Sequence, residues 1–104
     1  MLIFKKGSKI MKDVMDWRNW LTREEKIEIL MLAKCTRREA VNYVDKNNAT
    51  IFTSEELLEE VKTWQFLEEE EYNRYVTMTE TKQALPNWDI VDYNNETYFI
   101  EYLN

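Results

Sequence analysis

The chain of 104 residues has no histidine, one cysteine, one glycine and one proline. Without histidine, acid–base chemistry near neutral pH loses its commonest agent, and no nucleophile–histidine pair can form. The lone Gly7 excludes a P-loop and a dinucleotide-binding loop, both of which need several glycines where backbone approaches phosphate. Cys35 has no partner for an internal disulfide and no histidine with which to build a zinc site. No run approaches the ~18 apolar residues that a membrane span requires. The opening Met1-Leu2-Ile3-Phe4-Lys5-Lys6 puts apolar before basic, unlike a signal peptide. The expectation is a cytoplasmic protein, not an enzyme, with no catalytic, metal or cofactor residues.

Bulk and charge are what the sequence does have. Apolar residues make up 44% and aromatics 13%, with four tryptophans, which is enough bulky surface to fold. The length suits a single domain over 1–104. Charge is split end to end. Residues 1–52 carry eleven Lys/Arg against seven Asp/Glu, and residues 53–104 carry three against thirteen. Eight of those thirteen are Glu55, Glu56, Glu59, Glu60, Glu68, Glu69, Glu70 and Glu71. The four adjacent glutamates belong to no EF-hand loop. Nine asparagines and six tyrosines, with abundant Lys, Glu and Ile, favour AT-rich codons and suggest a low-GC bacterium, or its phage or plasmid.

Three Thr-x-x-Glu capping boxes punctuate the middle of the chain: Thr22 to Glu25, Thr36 to Glu39 and Thr53 to Glu56. Each opens an apolar i, i+3, i+4 pattern, which predicts helices over about 23–34, 37–46 and 54–67. The first is apolar on most of its circumference at Ile29–Ala33 and should lie centrally. The second should end on an asparagine of Lys46-Asn47-Asn48 in the left-handed conformation. Phe52 and Leu57 are placed for a hydrophobic staple around the third cap. An earlier helix is expected over 9–20, with Ser8 as its cap and Ile10, Val14, Trp17 and Leu21 along one side.

The period then changes. Trp88–Tyr93 and Thr97–Leu103 read as strands joined by Asn94-Asn95, a pair suited to a type I′ turn that would set Ile90 opposite Phe99 and Val91 opposite Tyr98. Tyr72–Thr79 reads either as a third strand or as an extension of the preceding helix, and Pro86 separates it from the hairpin. The fold class is α+β: three to four N-terminal helices (about 8–70) packed on a small C-terminal antiparallel sheet (about 72–103) that ends in a β-hairpin.

Several readings of the acidic half follow. A helix with an apolar inner stripe has a charged outer face as a matter of course, and like-charge pairs such as Glu55/Glu59 and Glu56/Glu60 cost only ~0.2–0.5 kcal/mol each. The sharper reading is nucleic-acid mimicry. Carboxylates at i and i+4 rise by ~6 Å along a helix, near the spacing of phosphates along a strand. Glu55, Glu56, Glu59 and Glu60 would form a double row, continued by Glu68–Glu71, Asp89, Asp92, Glu96 and Glu101. Tyr72, Tyr75 and Tyr102 would serve as aromatic anchors. The partner would be a host protein with a basic nucleic-acid-binding groove, with no direct nucleic-acid or membrane contact.

In size, acidity, AT-rich composition and lack of catalytic residues the chain resembles the small acidic inhibitors of phages and mobile elements, of the anti-restriction and anti-CRISPR type. That resemblance covers no alignable motif, and it implies inhibition of a host nucleic-acid-binding protein. The alternative is a winged-helix-like transcriptional regulator that grips DNA through Lys5, Lys6, Lys9, Lys12, Arg18, Arg37 and Arg38. Against it, a third helix bearing Glu55, Glu56, Glu59 and Glu60 would repel the groove it should enter. Helices 23–34, 37–46 and 54–67 also resemble the three-helix ubiquitin-associated fold, with Lys34-Cys35 where that family has a glycine. A chain with oppositely charged ends can also pair with itself, as monomer or homodimer, with Trp17, Trp20 and Trp64 as candidate contacts.

Overall fold

The structure, a computed structural model, describes residues 21–64 and 67–103. Along these the order is α1 (Arg23–Leu32), α2 (Arg37–Asp45), β1 (Ala49–Phe52), α3 (Ser54–Lys62), α4 (Glu69–Thr81), β2 (Trp88–Tyr93) and β3 (Glu96–Tyr102). The class is α+β, with four helices and one three-stranded antiparallel sheet among the described residues. The helix expected over 9–20 lies outside them. No helix among the described residues is long and apolar enough to cross a membrane.

All three capping boxes form. The Thr22, Thr36 and Thr53 hydroxyls accept from the N3 amides at 3.1, 3.1 and 3.2 Å, and Glu25, Glu39 and Glu56 each accept the cap amide at 2.8 Å. Phe52 and Leu57 are buried in one apolar cluster, where the staple places them. Asn47 ends α2 with φ 54. The Asn94-Asn95 turn has φ 51 and 65, as a type I′ turn demands, and the hairpin pairs Ile90 with Phe99 and Val91 with Tyr98.

Two expectations need correction. Tyr72–Thr79 is neither a strand nor a continuation of α3; it lies within a separate helix, α4. Threonine favours strands, but in this helix Thr79 Oγ1 donates to the Val76 carbonyl at 2.7 Å and Thr81 Oγ1 to the Thr77 carbonyl at 2.9 Å. Glu69, Glu70 and Glu71 occupy its first turn, where the helix dipole favours negative charge. The third strand is instead β1, four residues between the end of α2 and the Thr53 cap. The helices therefore do not all precede the sheet, since α3 and α4 form the connection from β1 to β2.

Strand order is β1-β3-β2, with both outer strands antiparallel to β3 and Ile51 and Phe52 opposite Ile100 and Phe99. Alternate side chains of a strand point to opposite faces, and here both faces are covered. Ile51, Val91, Tyr98 and Ile100 pack with Ile27, Ile29, Leu30 and Ala40 of α1 and α2. Phe52, Trp88 and Phe99 pack with Leu57, Val61 and Met78 of α3 and α4. The sheet is thus the middle of three layers. The α1 helix is less central than its apolar run suggests, with Met31 and Leu32 41% and 58% exposed.

Candidate interaction surface

The three layers sort the charge. Residues 21–48, which make the α1/α2 layer, hold six basic and five acidic side chains; residues 53–82, which make the α3/α4 layer, hold three basic and nine acidic ones. Two of the six bases of the first layer, Arg23 and Arg37, pair with acids of the same layer. Arg23 grips Asp45 with Nε and Nη2 at 2.8 and 2.9 Å, and Arg37 Nη2 meets Glu24 at 2.9 Å. Arg23 holds the Asp45 carboxyl below its ordinary range through this hydrogen bond. Lys5, Lys6, Lys9, Lys12 and Arg18 lie outside the described residues.

Within the α3/α4 layer the candidate residues separate. Glu55 and Glu59 are exposed, and Glu59 pairs with Lys62 at 3.2 Å, a surface contact of little energetic weight. Glu56 is only 4% exposed, its carboxylate turned onto the Thr53 amide. Glu60 is half-buried, on the side that faces Glu101 of β3. Burial, and then Glu60, push the Glu101 carboxyl above its ordinary value of 4.5. The expected double row of carboxylates on α3 is therefore a single exposed pair, because a helix that covers a sheet must turn one flank inward. Glu68, Glu69, Glu70 and Glu71 are all exposed at the start of α4.

The sheet continues this array only in part, with Asp92 and Glu96 exposed and Asp89 turned away. Asp89 points toward the α1/α2 layer, where it accepts the Tyr102 hydroxyl at 2.8 Å. Burial, and then this bond, hold the Tyr102 phenol well above its usual range. Burial likewise raises the Cys35 thiol beside it. Asp92 is exposed, accepts from Thr97 Oγ1 at 2.7 Å and lies 3.7 Å from Lys82 Nζ. On the opposite face from the acidic layer, the Tyr93 hydroxyl donates to Glu28 at 2.7 Å and is pushed up to about 12 by that bond.

The tyrosine anchors are packed rather than presented. Tyr72 and Tyr75 are half-buried against the α3/α4 core. Tyr75 meets Trp64 edge-on at 5.4 Å and Trp88 at 5.9 Å, and Trp88 in turn lies 6.1 Å from Phe52. Trp64, a candidate for self-association, is thereby part of an internal aromatic row; Trp17 and Trp20 are outside the described residues. Tyr102 packs on Tyr43 at 5.1 Å in the other layer.

Sequence reasoning missed a slot beside this row. It has a volume of about 180 Å³ and is lined by Glu71, Arg74, Tyr75, Leu85, Pro86 and Trp88. That is below the roughly 300–1,000 Å³ of small-molecule sites. Only Pro86 hinted at a turn there. No group of three or more Cys, Asp or Glu among the described residues is placed to hold a metal ion. Neither protein-family models, nor curated proteins, nor solved structures include a match to this chain, so its layers and their charge carry the functional argument.

Proposed function

We propose that this chain is a non-enzymatic interaction protein that engages a partner bearing a basic nucleic-acid-binding groove, and that it competes with nucleic acid for that groove. The observation that carries the reading is the net negative charge of the α3/α4 layer. It covers the sheet face opposite α1 and α2, a layer whose six basic and five acidic side chains nearly balance and in which Arg23 and Arg37 pair with Asp45 and Glu24. A predominantly negative surface of this kind steers association with a positive groove and makes affinity fall with salt. The exposed set is Glu55, Glu59, Glu68–Glu71 and Glu80, so the likeness to nucleic acid is one of charge density, not of phosphate register. A phage or mobile-element origin, and action in the host cytoplasm, belong to the same proposal. A winged-helix regulator gains no support from the geometry, because α3 lies across the sheet from α1 and α2.

The test is capture from a low-GC bacterial lysate on the immobilised chain, followed by elution with a duplex DNA oligonucleotide. The wild-type chain should retain nucleic-acid-binding protein that DNA releases. A variant with Glu55, Glu59, Glu69 and Glu70 each replaced by Gln should lose it. Equal retention by both chains, or retention that DNA does not displace, would remove the proposal.

A further inference from the structure

The slot at the foot of α4 is built from two rigid pieces. One wall is a single helical face, since Glu71, Arg74 and Tyr75 stand at i, i+3 and i+4. The other is the tight turn Leu85–Trp88, closed by the Trp88 amide donating to the Leu85 carbonyl at 3.0 Å. Pro86 occupies its second position and Asn87, with φ 70, its third, which is the type II pattern. Leu85 is tied back to the helix by its amide, 3.5 Å from the Met78 sulfur. The aromatic contact of Tyr75 with Trp88 joins the walls. A site held this way loses little freedom on binding.

Its size and lining specify an occupant. About 180 Å³ exceeds the ~150 Å³ cavity that admits a benzene ring, so the slot has room for one side chain. Apolar and aromatic groups line one part, and a carboxylate stands at the rim. Glu71 ends the exposed acidic run Glu68–Glu71, which outweighs Arg74 on the same wall, so the mouth of the slot favours a cation. Among cations, guanidinium suits the slot better than ammonium: it is planar, weakly hydrated, stacks on aromatic groups and matches a carboxylate in two-pronged fashion.

We infer that this slot receives one arginine side chain of the partner, with its guanidinium on Glu71 and its methylene stem against Leu85, Pro86 and Trp88. The assignment rests on the proposed function, in that a basic groove supplies the arginine. It gives the acidic layer what charge alone lacks, a fixed point of register. Arg74 is the group that opposes the incoming cation.

The full chain is titrated with the capped tripeptide acetyl-Gly-Arg-Gly-amide and with its neutral citrulline isostere, while the Leu85 methyl and Trp88 indole NMR signals are followed. The arginine peptide should shift both signals saturably, and the citrulline peptide should bind at least about five-fold more weakly, as expected for loss of a charge-assisted hydrogen bond at a partly exposed site. Glu71→Gln should weaken arginine-peptide binding to a similar extent, and Arg74→Gln should strengthen it. Unmoved signals, equal binding of the two peptides, or indifference to Glu71→Gln in a variant whose remaining spectrum is unchanged would overturn the assignment. The quadruple glutamine variant retains Glu71, so it should still bind the peptide while losing the captured partner. Peptide failure with DNA-releasable capture intact sinks the slot alone; peptide binding without such capture sinks the acidic-surface reading and, with it, the partner assigned to the slot.

Discussion

At the scale of single residues, the shortage of glycine has a structural consequence. Six described residues with side chains hold positive φ: Lys34, Asn47, Lys82, Asn87, Asn94 and Asn95. Asparagine tolerates this region, and the Asn pairs were legible as turns for that reason. Lysine has no such tendency, so the residue type at Lys34 does not mark the turn. Its φ of 79 completes a Schellman motif, with the Lys34 amide on the Met31 carbonyl at 3.0 Å and the Cys35 amide on the Leu30 carbonyl at 3.1 Å. A left-handed L-residue costs about 1–2 kcal/mol, whereas glycine adds about 0.5–1 kcal/mol of backbone entropy to the unfolded chain. Lys34→Gly should therefore stabilise the protein by roughly 0.5–1 kcal/mol. The corresponding Asn47→Gly should do less, since Asn already fits. Urea unfolding midpoints measure both; an unchanged or lower midpoint for Lys34→Gly would refute the argument.

At the scale of elements, what could be read was whatever is determined locally. Capping boxes, the staple and the Asn-Asn hairpin depend on neighbours within a few residues, and each forms as its spacing predicts. Ala49–Phe52 was missed because four residues carry too little periodicity; only its place on the free edge of β3 makes it a strand. In α4 the apolar spacing of Tyr72, Tyr75 and Met78 is helical but is interleaved with strand-favouring threonines, of which Thr79 and Thr81 bond back to the preceding turn. The acidic site was legible as composition but not as surface. Whether Glu56 faces water or the Thr53 amide is decided by the sheet beneath α3. That burial also ranks the caps. Thr53→Ala breaks a box whose glutamate is 4% exposed, whereas Thr36→Ala breaks one that is open to water. Both should destabilise, by about 1–2 kcal/mol for Thr53→Ala and about 0.5–1 kcal/mol for Thr36→Ala. Chemical denaturation of the two variants side by side checks the order, and the reverse order would mean that burial does not strengthen the box.

At the scale of the whole molecule, the sheet is a partition. Phe99 and Ile100 are neighbours in the chain, are 1% and 0% exposed, and belong to different cores. Ile51 and Ile100 are far apart in sequence, yet they are cross-strand partners in the same core. The partition is what allows the α3/α4 layer to carry its charge without drawing on the α1/α2 bases, so it underlies the proposed surface as well as the fold. It is testable through energetic coupling, because substitutions that share no packing partners add and those in contact do not. Phe99→Leu and Ile100→Val should each cost on the order of 1 kcal/mol, and their double variant should equal the sum to within about 0.5 kcal/mol. Ile51→Val with Ile100→Val should depart from additivity by about 0.5 kcal/mol or more, since the first substitution loosens the cavity that the second enlarges. Double-mutant cycles from equilibrium unfolding read both numbers. A stronger coupling between the chain neighbours Phe99 and Ile100 than between the cross-strand pair would mean that the two faces share one core, and the separation of the acidic layer from the rest of the molecule would fall with it.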